Sequence, residues 1–121
     1  MTTRVATTRE TGIAAEEIAA RFLSDQGFAI VARNYRCRLG EIDLIANDGD
    51  TLVFIEVRLR RSSRFGGARA SITVAKQRKL QAAAGLYLSR LRTTPRCRFD
   101  AILLDALDAE RIEWLRDVIS V

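Results

Sequence analysis

Histidine is absent from the 121 residues, and only two cysteines are present, Cys37 and Cys97. Without an imidazole, a Ser-His or Cys-His nucleophilic mechanism is excluded. Two thiols cannot complete a zinc site of four nitrogen and sulfur ligands, nor frame a disulfide scaffold. They read as reduced, partly buried thiols. Aromatic residues make up only 7%, so the core must be built from Leu, Ile, Val and Ala. No apolar run approaches the roughly 20 residues needed to cross a bilayer. Residues 1–11 are Thr- and Arg-rich with no apolar stretch, which reads as a flexible N-terminal tail and not as a secretory signal. The expectations are a single domain over residues 12–121, no membrane contact and a cytoplasmic location.

What is present is charge. The formal net charge is +5, from 20 basic and 15 acidic residues, and of the basic ones only Lys76 and Lys79 are lysine. Arg58, Arg60, Arg61, Arg64 and Arg69 crowd into one stretch, followed by Lys76, Arg78 and Lys79. Such a cluster is either a solvated face or a grip for a polyanion. With no histidine, any catalysis must rest on carboxylates, Lys or Arg, and a metal.

Hydrophobic periodicity divides the chain. Ile13, Ala14, Ile18, Ala19, Phe22 and Leu23 recur at helical spacing, so a helix is predicted over Gly12 to Gln26, with Thr11 as N-cap and Gly27 as stop. Strands are predicted over Phe28–Tyr35, Gly40–Ala46 and Leu52–Arg58, the last two joined by the turn signal Asn47-Asp48-Gly49-Asp50. The apolar run Leu52-Val53-Phe54-Ile55 marks a central strand. Residues 62–70 read as a loop and Ser71–Leu91 as a second helix, with Ile72, Ala75, Leu80, Ala83, Ala84, Tyr87 and Leu88 on its inner face. Arg98–Asp105 is a fourth strand; Arg111–Ile119 fits either a fifth strand or a helix. The order α-β-β-β-α-β gives an α/β fold, a mixed central sheet flanked by helices.

Two carboxylates fall inside this pattern. Asp43 lies in Glu41-Ile42-Asp43-Leu44-Ile45, where alternation puts Glu41, Asp43 and Ile45 on one face and Ile42 and Leu44 on the other. Glu56 directly follows the apolar run and shares a face with Arg58. A hairpin centred on Asp48–Gly49 brings Asp43 opposite Val53–Glu56, so the two carboxylates converge. A carboxylate in an apolar strand costs free energy unless paired or metal-bound. Either neighbouring arginines pair with them, or they hold Mg²⁺, an oxygen-seeking ion that keeps several waters. Glu41 could support such a site or pair with Arg38.

Several segments in register resemble one known family. Gly12-x-x-x-Glu16-x-x-Ala19-x-x-Phe22-Leu23, Arg33-Asn34-Tyr35-Arg36, Gly40-Glu41-Ile42-Asp43-Leu44-Ile45-Ala46, Val53-Phe54-Ile55-Glu56-Val57-Arg58-x-Arg60, Phe65-Gly66 and Arg98-Phe99-Asp100 resemble the YraN family, over roughly residues 12 to 105. That family is regarded as similar to archaeal Holliday-junction resolvases and other PD-(D/E)xK nucleases. The resemblance implies a restriction-endonuclease-like core and a metal-dependent endonuclease acting on DNA, with branched or structured DNA as substrate and Mg²⁺ or Mn²⁺ as cofactor. It implies Asp43 and Glu56 as metal-binding catalytic acids, with Glu16 on the first helix completing the site and Glu17 as the alternative one residue on. Arg58 stands where the nuclease motif carries Lys. Arginine effectively cannot lose its proton, so Arg58 can bind phosphate but cannot act as a base. Arg60, Arg61, Arg64, Arg69 and Lys76 are the expected nucleic-acid contacts, and resolvases, being symmetric, extend the analogy to a homodimer. The alternative is a nuclease-fold module that binds nucleic acid without cutting it. Asp100 is expected to be structural.

Overall fold

The computed structural model describes residues 7–59, 73–108 and 110–119. Expectations for residues 1–6, for the loop at 62–70, and for Arg60, Arg61, Arg64, Arg69 and Ile72 lie outside the described residues.

Helix α1 spans Thr8–Asp25, starting a turn before the predicted Gly12. The missed signal was Thr7-x-x-Glu10. The Thr7 hydroxyl accepts the Glu10 N–H at 3.1 Å and also bonds the Glu10 carboxylate, an N-terminal capping arrangement. At the other end Gly27, at φ 94°, turns the chain, and the Phe28 N–H reaches back to the Leu23 carbonyl at 3.0 Å. Strands β1 (Ala29–Cys37), β2 (Gly40–Asp48) and β3 (Thr51–Leu59) follow as a meander. Asp48 pairs with Thr51 across a two-residue turn in which Gly49 takes φ 62°. Helix α2 (Val74–Ser89) is capped by Thr73, and strands β4 (Arg96–Leu104) and β5 (Ile112–Leu115) complete the chain.

The sheet is five-stranded, in the order β1-β2-β3-β4-β5. Every pairing is antiparallel except β3 with β4, which α2 joins as a parallel crossover. The undecided C-terminal segment is thus a strand. Trp114 holds it in place by packing edge-on to Phe22 and Phe28.

The helices cover opposite faces. Val53 and Ile55 pack with Ala19, Ala20 and Leu23 of α1, whereas Leu52 and Phe54 pack with Leu80, Ala83 and Ala84 of α2. This explains the unbroken apolar run of β3, which is buried from both sides. Ile13 is 54% exposed and Ala75 is also exposed, so the buried stripes of both helices begin later than periodicity indicated. Gly40 has a packing role: a Cβ there would lie 2.8 Å from the Lys79 carbonyl oxygen, so its hydrogen lets α2 rest directly on β2. No helix among the described residues is long and apolar enough to cross a membrane.

Candidate active site

The site lies where the sheet forks. The β2–β3 pairing runs from Asp48–Thr51 to Leu44–Ile55, while β3 continues alongside β4 to Leu59–Leu104. Just past the last pair stand Asp43 and Glu56. In place of a strand carbonyl, Asp43 Oδ2 accepts the Val57 N–H at 2.8 Å. On the other side of β2, Arg33–Leu44 and Tyr35–Ile42 flank Asn34, which adopts a left-handed φ of 52°. The pleat breaks at this point. Ile42 joins Ile45 in the α2-side core while Leu44 joins the α1-side core, a departure from the strict alternation expected between residues 41 and 45.

Asp43 and Glu56 open into a cleft of about 290 Å³, with Glu41, Arg58, Lys76 and Lys79 on its walls. Burial drives Asp43 from an ordinary 3.8 to about 7; the Glu56 charge adds to the rise and the Val57 N–H opposes it. Burial also raises Glu56, against the pull of Arg58 and Lys76. Lys76 is lowered, first by burial and then by Arg58, while Glu56 works the other way. Arg58 Nε stands 3.0 Å from Glu56 Oε1, an ion pair lacking the alignment of a hydrogen bond. The hairpin therefore brings Asp43, Glu56 and Arg58 together as its symmetry predicts, and α2 adds Lys76.

The remaining candidates separate. Glu16 lines an adjoining groove with Arg9, Ile13, Asn34 and Arg36, although its charge still reaches Asp43 and Glu56. Glu17 bonds Arg33 and pairs with Arg21, and these contacts hold its carboxyl below the ordinary value. Glu41 pairs with Arg36 at 3.5 Å. Lys79, which the sequence places in the basic cluster but not among the expected contacts, also lines the cleft, and its spacing of three from Lys76 on one helix is the signal that joins them. Asp100 belongs to a separate structural network. Its buried carboxylate accepts from Arg98, from Trp114 Nε1 at 3.0 Å and from the Asp117 N–H at 2.9 Å. Arg98 also reaches Asp48.

Two half-buried carboxylates at one cleft form a hard-oxygen donor set suited to Mg²⁺ or Mn²⁺, and a cation there would offset both the burial that raises each and the Glu56 charge that adds to the rise of Asp43. Among the described residues no three acidic or thiol groups close into a ready-made cation cage. A site with two protein carboxylates, its other positions left to water and substrate, is one that Mg²⁺ commonly adopts.

The fold is a mixed five-stranded α/β sheet that forks around a half-buried carboxylate pair, with Arg and Lys on the cleft wall, an arrangement consistent with a nuclease-like core. Residues 15–104 match the group described as Uncharacterised protein family UPF0102. A UPF0102 protein of Nitrosospira multiformis is 53% identical over 115 residues, covering 95% of this chain and 97% of the relative. One from Methylobacillus flagellatus is 52% identical over 112 residues, covering 93% and 98%, and one from Herminiimonas arsenicoxydans is 50% identical over 105, covering 87% and 82%. The chain belongs to family UPF0102, in agreement with the YraN-type resemblance of its motifs.

Proposed function

We propose that this chain is a metal-dependent endonuclease that hydrolyses phosphodiester bonds in DNA, with branched or structured DNA as its substrate class. One observation carries the reading: Asp43 and Glu56 stand half-buried at the sheet fork, in one cleft with Arg58 and Lys76. Asp43 and Glu56 are the residues that would hold Mg²⁺ or Mn²⁺. Such an ion, when bound, acidifies water and offsets phosphate charge. The Val57 N–H fixes the Asp43 carboxylate, so its orientation is set before any substrate arrives. Arg58 would donate to the scissile phosphate and stabilise the charge that develops on it, without serving as a base. Lys76, on α2, would add a second cation to the cleft. Glu16, from the adjoining groove, adds negative potential that favours a cation between Asp43 and Glu56. A homodimer is the form that would match two scissile strands of a branched substrate.

The test is cleavage of four-way junctions, flaps, duplexes and single strands by purified protein with Mg²⁺ or Mn²⁺. The native chain should cut at least one of them, and Asp43→Asn and Glu56→Gln should not. Metal-dependent cutting that survives in both variants contradicts the assignment.

A second reading, a nuclease-fold module that binds nucleic acid without turnover, has one observation in its favour. Arg58 replaces the motif lysine and already engages Glu56 at 3.0 Å. Salt-sensitive binding by the native protein with no cutting of any of these substrates would favour it.

A further inference from the structure

Apart from the negative potential of Glu16, the groove on the α1 side of the acidic pair takes no part in the chemistry above. It measures about 430 Å³ and is lined by Arg9, Ile13, Glu16, Asn34 and Arg36, with Gly12 on its rim. Gly12 also lines a smaller hollow of about 250 Å³, formed with Thr8, Thr11, Val57, Arg58 and Leu59. Val57 and Arg58 in turn line the acidic cleft. Shared walls therefore join the three depressions into one track. It runs from Lys76 and Lys79 on α2, past Asp43 and Glu56, over Arg58, to Arg9 and Arg36.

We infer that the groove on α1 holds the sugar–phosphate backbone of the substrate strand as it runs on from the acidic pair, with Arg9 and Arg36 as its phosphate contacts and Ile13 as an apolar contact. This rests on the reading of the cleft as a nucleic-acid site. Three features support it. Cations stand at both ends of the track as well as at its centre, as a strand extending to either side of a cut requires and a small anion does not. Ile13 is 54% exposed on the groove wall, leaving apolar area that a sugar face of the strand would cover. Among the described residues Arg36 pairs with Glu41, at 3.5 Å with side chains 70% and 44% exposed. An exposed pair of this kind is readily exchanged for a phosphate. Glu16 carries a charge that reaches Asp43 and Glu56, so the phosphate contacts fall to the two cations of the groove lining named above, Arg9 and Arg36.

The experiment is fluorescence anisotropy of an end-labelled DNA single strand, titrated with salt in EDTA so that no cutting occurs. Arg9→Ala/Arg36→Ala should weaken binding about tenfold or more at low salt. It should also reduce the slope of log affinity against log salt by roughly 1.4, since each single-strand phosphate contact contributes about 0.7. Arg9→Lys/Arg36→Lys should keep the native slope, which separates loss of charge from loss of fold. Arg21→Ala, on the same helix but paired with Glu17, should bind as the native protein does. If the alanine pair keeps native affinity and slope while Lys76→Ala loses a contact, the groove assignment is overturned and the nucleic-acid reading stands. If the native protein shows no salt-dependent binding to this strand or to a labelled four-way junction, both are overturned.

Discussion

Asp43→Asn should stabilise the metal-free protein at neutral pH. The native carboxylate is raised from an ordinary 3.8 to about 7, first by burial and then by the Glu56 charge. In that window the folded chain binds more protons than the unfolded chain, so stability falls as pH rises from about 4 to about 7 and levels off above. A rise of that size sets a ceiling of about 4 kcal/mol. Solvent reaching the open cleft, and the sharing of repulsion with Glu56, bring the expected gain down to about 2 kcal/mol. Asparagine keeps an oxygen for the Val57 N–H, now 2.8 Å from Asp43 Oδ2, so the substitution removes charge without orphaning a donor. Urea unfolding in EDTA at pH 4, 6 and 8 measures this. The two proteins should be close at pH 4, and the variant should pull ahead as pH rises. A variant equal to or less stable than the native chain at pH 8 would refute the claim that the pair is a strained, charge-repelling site awaiting a cation.

Other substitutions should separate chemistry from architecture. Arg58→Ala should lower cleavage by about 10²-fold or more while Arg58→Lys retains most of it, read in single-turnover assays, because the proposed role is charge stabilisation. Asp100→Ala should cost about 2–4 kcal/mol in chemical denaturation, since it orphans the Trp114 and Asp117 donors and leaves the half-buried Arg98 with Asp48 alone among the acceptors described above. Gly40→Ala should cost about 1–3 kcal/mol, because its Cβ would meet the Lys79 carbonyl at 2.8 Å. It should also weaken oligonucleotide binding by shifting the helix that carries Lys76.

Much of this fold could be read from pattern, and the failures have physical causes. The apolar run Leu52–Ile55 marked a central strand because both helices bury it, and Asp48-Gly49-Asp50 fixed the register that brings Asp43 to Glu56. The start of α1 was misplaced because Thr7-x-x-Glu10 caps the helix before any apolar stripe begins. Segment 112–115 was ambiguous because its strand identity depends on pairing with β4 and on Trp114 packing against distant Phe22 and Phe28. At the site, alternation failed at Asp43, where the sheet forks opposite left-handed Asn34. No periodicity rule anticipates such a local break. Glu16 and Lys79 show the same limit. Helical spacing tells which residues share a face, but which cleft that face looks into is set by the placement of α1 and α2 on the sheet.

The central claim is that Asp43 and Glu56 form a divalent-cation site, and isothermal titration with Mg²⁺ and Mn²⁺ tests it most directly. The native chain should bind the ion more tightly as pH rises through about 7, because protons compete for Asp43. Asp43→Asn should abolish binding and Glu56→Gln should weaken it. Glu17→Gln, removing a carboxylate that pairs with Arg33 away from the cleft, should leave it unchanged. Uptake that is undiminished in Asp43→Asn, or absent from the native chain at pH 8, would contradict the account.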